Sequence, residues 1–283
     1  MNDTYLKSPI NYIGGKYNSL QYIIPLFPNK INMFVDLFGG SGTVVLNANA
    51  EHYIYNDINT YVKDILSGMA DMDLNDIINN IEQIINEYKL TKTNKEGFER
   101  LRDDYNNGKN DWVTLYVLMS YSFNYQFRFN NNHQYNSSFG KNRSYFSERQ
   151  RKNLIEAKSR LEKMDIVFTG DSFDKFDFSD FNEDDFIYLD PPYFNSVGNY
   201  NDGKRGFEGW TKEHELQMRK LLVELDNKNI RFALSNNIAF NTVLESWANN
   251  NGFKIHRINT SYENCNYQKK DKTQDIEVLI TNY

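Results

Sequence analysis

Met33-Phe34-Val35-Asp36-Leu37-Phe38-Gly39-Gly40-Ser41-Gly42 carries the pattern on which the fold turns. A short apolar run ends in an acid, and a turn with three glycines follows. Residues 43–50 are compatible with a helix. His52-Tyr53-Ile54-Tyr55-Asn56-Asp57 then brings the aromatic and β-branched side chains that strands favour. Strand, glycine turn, helix and strand form the first half of a doubly wound α/β sheet. Glycine has no Cβ, so the backbone there can turn tightly and approach a ligand closely. The turn is neither GxGxxG nor GxxxxGK[ST] and offers no lysine to a nucleotide phosphate. It suits a nucleoside ligand without phosphates. Asp57 stands about 20 residues past the turn's start, where doubly wound folds place an acid that accepts bonds from ribose hydroxyls. A turn or helix-capping aspartate would suit the same position.

Outward from this unit the periodicity changes. Between residues 60 and 161 most segments read as helices, with Ile77, Ile78, Ile81, Ile84, Ile85 and Tyr88 at helical spacing and Trp112–Tyr121 as a second apolar helix. Residues 121–146 are rich in Asn, aromatics and Gly without a period, as loops and hairpins are. Alternation then returns. Strands are expected at 166–169, 186–189, 230–234, 253–257 and 277–281, and helices at 240–250 and at 212–225, the latter with Leu216, Leu221, Leu222 and Leu225 on one side. The expected fold is therefore α/β: a doubly wound Rossmann-like sheet from residues 1–60 and 164–283, interrupted by a mainly helical subdomain at 61–163 with a hairpin near 123–142. An insertion of about 100 residues is ordinary for a compact subdomain.

Composition narrows the function. The 283 residues are 40% hydrophobic, which excludes a disordered tail. The mean hydropathy of −0.71 and the lack of a long apolar run exclude a spanning helix. Residues 1–12 lack the apolar core of a secretory signal, so a cytoplasmic location is expected. One cysteine, Cys265, excludes a disulfide framework and a Cys-rich zinc site, and four dispersed histidines argue against a His-based metal site. The net charge of −6 argues at first against nucleic acid. It is unevenly spread. Residues 128–163 hold nine Lys and Arg against three Glu, and residues 171–190 hold eight acids against one Lys. A basic surface beside an acidic pocket is the expectation.

Phe186-Ile187-Tyr188-Leu189-Asp190-Pro191-Pro192-Tyr193 is the sharpest motif. An apolar strand ends in an acid, two prolines and an aromatic. The prolines lack N–H groups and stiffen the loop. The Asp190 carboxylate and the Pro191 carbonyl then form two fixed acceptors beside the flat face of Tyr193. That arrangement matches a planar ring bearing an exocyclic NH₂.

These residues carry a resemblance. Asp190-Pro191-Pro192-Tyr193 resembles the DPPY motif of amino-methyltransferases acting on adenine N6. Residues 36–42 resemble their S-adenosylmethionine turn, Asn11-Tyr12-Ile13-Gly14-Gly15-Lys16 the N-terminal KWxGGK element of the Dam-like, alpha-group DNA adenine methyltransferases, and Phe168-Thr169-Gly170-Asp171-Ser172-Phe173 a further cofactor-side motif of that family. Residues 123–141 resemble its recognition hairpin, YNGxxRxN followed by FNxPFGRY. Motif order agrees along nearly the whole chain.

The resemblance implies S-adenosylmethionine as cofactor, with Tyr12 on its adenine, Lys16 and Asp36 at the methionyl part, Phe38, Gly39 and Gly40 as backbone cradle, Asp57 on the ribose, and Asp171 beside Ser172 on the adenine amine. Asp190, Pro191, Pro192 and Tyr193 are the implied catalytic residues, with Asp190 also facing the cofactor. The implied partner is double-stranded DNA. Arg128 would read a guanine, and Phe123 and Asn124 would stand at the displaced pair. Asn11 and Ser138 lie in the recognition elements, and Lys141, Arg143, Arg149, Arg151 and Lys152 would serve phosphates. Asn11 stands where the family has Lys and Ser138 where it has Pro, while Gln126 and Asn142 also differ; the implied target is a GAT-containing, GATC-like site, and these departures leave open whether it extends to a full GATC. No metal is implied, and a monomer is expected, with a cognate restriction endonuclease compatible as a separate partner. Two other readings keep parts of this pattern: transfer to RNA or to a protein amide, and a DNA-binding module without turnover. Residues 194–210 and 261–273, rich in polar residues, are candidates for a lid and for a DNA-backbone contact.

Overall fold

A computed structural model describes residues 4–12, 14–193, 210–239, 241–258 and 276–283. Ile13, Cys265, the candidate lid except Trp210, and the segment 261–273 lie outside the described residues. In chain order the elements are α1 (Leu20–Ile23), β1 (Met33–Asp36), β2 (His52–Asn56), α2 (Thr60–Asp71), α3 (Leu74–Glu87), α4 (Lys95–Asn106), α5 (Trp112–Tyr121), α6 (Glu148–Leu161), β3 (Asp165–Thr169), β4 (Phe186–Leu189), α7 (Lys212–Asn227), β5 (Arg231–Asn237), α8 (Thr242–Asn250), β6 (Lys254–Ile258) and β7 (Glu277–Thr281). Short 3₁₀ turns follow α1 and α5.

The strands form one sheet in the order β3-β2-β1-β4-β5-β7-β6. The first five in that order run parallel, and β7 is antiparallel to both β5 and β6. Helices cover both faces, so the central strands are buried on both sides and read as apolar runs; all four residues of β4 are buried. On one face Phe34, Tyr53, Tyr55, Tyr188 and Leu279 share a continuous core with α2–α6. On the other, Val35, Leu37, Ile187, Leu189 and Phe232 pack against α7 and α8 through Met218, Leu222, Leu225, Leu244 and Ala248. Helix α5 is buried all round, as a central bundle helix is.

Two features place the site. Chain order reverses between β1 and β4, which lie side by side with Asp36 in register with Tyr188. Such a switch point opens a crevice at the carboxyl ends of the strands, so the turn after β1 and the Asp190 loop after β4 emerge together. Because β7 runs antiparallel, its first residue, Glu277, lies opposite Asn237 at the carboxyl end of β5. It therefore reaches the same edge.

Three local expectations are corrected. Residues 43–47 form successive turns, and 48–50 no regular element, rather than a helix. The Val45 N–H donates to the Asp36 carboxylate at 3.1 Å, and the Asn47 N–H to the Val44 carbonyl three residues back, so the Leu46–Gly42 and Ala48–Val44 bonds stay isolated helical turns. In α7, Leu216 is 54% exposed; the buried stripe is Glu215, Met218, Leu222 and Leu225. Between 122 and 139 the hairpin reduces to two antiparallel bridges, Ser122 with Phe139 and Phe129 with Tyr135.

Candidate active site at the carboxyl edge of the sheet

The glycine turn is built around side chains of β2. The Gly39 N–H donates to the Asn56 carbonyl at 2.8 Å, and the Tyr55 hydroxyl donates to the Gly40 carbonyl at 2.6 Å. A Cβ at Gly39 would stand 2.2 Å from the Tyr55 ring, and Gly40 has φ +49°. Asp57 closes the turn: one carboxylate oxygen accepts the Gly40 N–H at 2.7 Å and the other the Asn59 N–H at 2.7 Å. It therefore is the turn-capping aspartate, and it also lines the cavity described below. The buried Asn56 amide bonds the Leu37 carbonyl on one side and both backbone groups of Asp171 on the other, each near 3.0 Å. It joins the glycine turn after β1 to the 168–173 segment. Sequence reading missed Asn56, although a polar residue ending an aromatic strand was its signal.

Asp36 is 1% exposed. One oxygen accepts the Val45 N–H, and the other has no hydrogen-bond partner. Burial lifts this carboxyl well above the usual carboxylate range, and the nearby Asp190 and Asp57 carboxylates add to the rise. A buried oxygen left without a donor is costly. Asp36 is also among the residues lining the cavity described below.

Lys16, Asp190, Tyr193 and Glu277 form the polar centre. The buried Lys16 ammonium lies 2.8 Å from Asp190 Oδ1 and 3.5 Å from Glu277 Oε1, and donates to the Tyr193 hydroxyl at 2.8 Å. Burial alone would lower the lysine; Asp190, Tyr193 and Glu277 outweigh it and hold it well above the ordinary range. Burial pushes Asp190 up to about 6, with Lys16 restraining the rise and Glu277 adding to it. Burial likewise raises the Tyr193 hydroxyl.

An aromatic wall completes the cavity. Phe38 lies 5.5 Å from Phe173 and 5.6 Å from Trp210, and Trp210 is 5.5 Å from the His214 ring. The Trp210 indole N–H donates to Glu215 at 2.9 Å, and that buried carboxylate also receives Arg219 and Asn241. Sequence reading assigned no role to His214, Glu215 or Glu277. The cavity holds about 350 Å³ and is lined by Tyr12, Lys16, Asp36, Phe38, Gly39, Gly40, Asp57, Asp171, Ser172 and the whole of Asp190-Pro191-Pro192-Tyr193. Every cofactor-side and catalytic residue singled out in the sequence thus lines it. Tyr12 accepts a bond from Asn59 at 3.1 Å, with its ring against Gly40. The Ser172 hydroxyl donates to Asp174.

The recognition candidates lie apart from this cavity. Asn11 donates to the Asn124 carbonyl at 2.8 Å, which ties the N-terminal element to the 122–139 loop. Phe123 is 43% exposed, its N–H donates to the Ser138 carbonyl, and the Arg143 guanidinium stands 5.6 Å from its ring. Asn124 has φ +54°. Arg128 is exposed and donates to Gln126 at 3.1 Å, and Lys141 is exposed. Part of the basic stretch is internal. Lys158 donates to the Ala70 carbonyl and Arg160 to the Leu46 and Ala48 carbonyls, while Arg151 pairs with Glu82 at the surface. No helix among the described residues is long and apolar enough to cross a membrane.

Helices on both faces of this mixed sheet, with a glycine cradle and an Asp-Pro-Pro-Tyr loop at one switch point, make an α/β methyltransferase-like fold. Residues 12–264 match the D12 class N6 adenine-specific DNA methyltransferases, and the chain belongs to that family. It is 44% identical over 283 residues to the modification methylase StsI of Streptococcus sanguinis and 43% identical over 285 residues to the type II methyltransferase M.FokI of Planomicrobium okeanokoites. It is 34% identical over 282 residues to the modification methylase LlaI of Lactococcus lactis subsp. lactis. Each match takes in 98–99% of this chain and 43% of the relative, so the chain spans less than half the length of these proteins.

Proposed function

We propose that the chain transfers a methyl group from S-adenosylmethionine to the N6 amine of an adenine in double-stranded DNA, as a modification enzyme. One observation carries this reading: the glycine cradle and the Asp190-Pro191-Pro192-Tyr193 loop line the same cavity. The residues fit the cofactor. Asp36 has a buried oxygen without a donor, suited to a methionyl ammonium. Asp57 suits ribose hydroxyls, and Tyr12, Phe38, Phe173 and Trp210 suit an adenine ring, with Asp171 for its amine. S-adenosylmethionine, when bound, supplies a methyl group activated by a sulfonium sulfur.

The chain's own residues do the rest. The Asp190 carboxylate and the Pro191 carbonyl accept the two N6 protons of the target, which turns the nitrogen lone pair toward the cofactor side, and Tyr193 offers the base a stacking face. The methyl group would pass to that nitrogen as its bond to sulfur breaks, leaving a neutral thioether, and Asp190 would take the proton that the amine must lose. Positioning and fixed dipoles supply the acceleration. A base inside a duplex cannot reach this recessed carboxylate, so the adenine enters extrahelically. The exposed Phe123, Asn124, Arg128, Ser138, Lys141 and Arg143, with Asn11 bridging to them, form the DNA-facing surface, and 61–163 is the recognition subdomain. A GAT-containing target follows from the resemblance at Arg128.

Incorporation of labelled methyl into unmethylated genomic duplex, compared with single strands and RNA, tests this function. Modification-sensitive sequencing of DNA from expressing cells then reads the site. No transfer to any unmethylated duplex would overturn the proposal.

A further inference from the structure

Glu277 is a buried acid that the scheme above leaves without a task. It is 2% exposed, and no sequence motif pointed to it. One of its oxygens accepts the Ser19 hydroxyl at 3.2 Å; the other lies 3.5 Å from the Lys16 ammonium and 3.5 Å from the Tyr193 hydroxyl. A carboxylate so far from water persists only where partners compensate it.

The Lys16 ammonium stands between two carboxylates. It is closer to Asp190, at 2.8 Å, and so occupies Asp190 Oδ1. The Asp190 carboxylate is the acceptor that a target amine needs. An ammonium and an amine N–H compete for it, and the ammonium holds the stronger, charge-assisted bond. We propose that Glu277 is a positioning residue that takes over the Lys16 ammonium when a target amine engages Asp190. The inference rests on the adenine-N6 reading of the site. The displacement needed is short, because Glu277 already lies within ion-pair distance, and Tyr193 reaches both the ammonium and Glu277. With Lys16 drawn to Glu277, an N6–H donates to Asp190, and the proton released at nitrogen passes to that carboxylate and then to water. Without the Glu277 charge, Lys16 stays on Asp190 Oδ1 and withholds that oxygen from the amine.

The groups facing Asp190 are Lys16 from the N-terminal segment, Asp36 from the end of β1, Tyr188 from β4, Tyr193 from its own loop and Glu277 from β7. Replacing Glu277 by glutamine removes one anion from this set and keeps its shape.

The test compares Glu277→Gln and Glu277→Asp with the unaltered protein. The expected result for Glu277→Gln is a kcat lowered at least about tenfold, with cofactor affinity by calorimetry and KM for the duplex within about threefold; Glu277→Asp recovers part of the loss. The Asp190 carboxyl, followed by ¹³C NMR titration of the protein without substrate, moves to lower pH in Glu277→Gln, a readout independent of turnover. A kcat within twofold of the unaltered protein, or an unmoved Asp190 titration, overturns the proposal. Loss of cofactor binding and of cooperative unfolding in both variants would make Glu277 purely structural and also overturn it. Failure of the underlying reading shows differently: the unaltered protein transfers no methyl to adenine, or Asp190→Asn retains its turnover.

Discussion

The Lys16 ammonium lies 2.8 Å from the Asp190 carboxylate, joining the N-terminal element to the loop after β4. The two residues come from motifs far apart in the chain. Their pairing restrains the rise that burial imposes on this acid.

Replacing that acid should stop the reaction and spare the fold. Asp190 sits in a loop after its strand ends, and Glu277 remains to hold Lys16. Asp190→Ala is expected to lower methyl transfer into duplex DNA by about 10²–10³-fold or more, the scale for losing one preorganised electrostatic group. Far-ultraviolet circular dichroism should be unchanged. Near-normal turnover would refute the role given to Asp190.

The pH dependence follows from the same residue. With Asp190 pushed up to about 6, its acceptor role is lost on protonation, so kcat should fall as pH drops through that value. The stability sign is the reverse of a salt-bridged aspartate with a depressed value. The native carboxyl titrates above the unfolded one at about 3.9, so between these values the native state holds the extra proton. The contribution of Asp190 to stability is therefore greatest at low pH and is lost as pH rises through about 6. Asp190→Asn should gain on the unaltered protein in unfolding midpoint between pH 4.5 and 7. A pH-independent difference between the two would contradict this.

The glycine cradle makes a graded prediction. A Cβ at Gly39 would overlap the Tyr55 ring at 2.2 Å, while one at Gly40 meets Tyr12 at 3.2 Å and a φ of +49°. Gly39→Ala should cost about 1–3 kcal/mol through overpacking, more than Gly40→Ala at about 1 kcal/mol. Both should weaken cofactor binding. Chemical denaturation and calorimetry read the two effects, and equal or absent losses would argue against the cradle.

Glu215 anchors the aromatic wall. It receives Trp210, Arg219 and Asn241 while nearly buried. Glu215→Ala leaves Arg219 without its carboxylate and should destabilise the protein by about 3–5 kcal/mol, with a red shift in tryptophan emission as Trp210 is released. An unshifted spectrum would show that Trp210 is held by other contacts.

Arg128 is exposed and outside the cavity. Arg128→Ala should lose about 1–3 kcal/mol of discrimination at one base pair. Uniform weakening across all sequences in a binding titration would make it a phosphate contact instead.

Sequence alone determined the strands, the glycine turn, the acid after β4 and the order of the motifs, because each is a local pattern: apolar runs for strands buried on both faces, glycine where the backbone turns, proline where a loop is stiff. It also showed that a negative average hides a basic stretch. Tertiary structure decided which charges meet. Lys158 and Arg160 turn inward to cap carbonyls of α2 and of the 43–50 segment, which only the packing of α6 against those parts of the chain reveals. In residues 43–50 the Val45 N–H goes to the Asp36 carboxylate, and only isolated helical bonds remain. Glu277 reached the site because β7 runs antiparallel to its neighbours, so its first residue lies at the edge where the parallel strands end. Strand direction is a property of the whole sheet, and no window of the chain contains it.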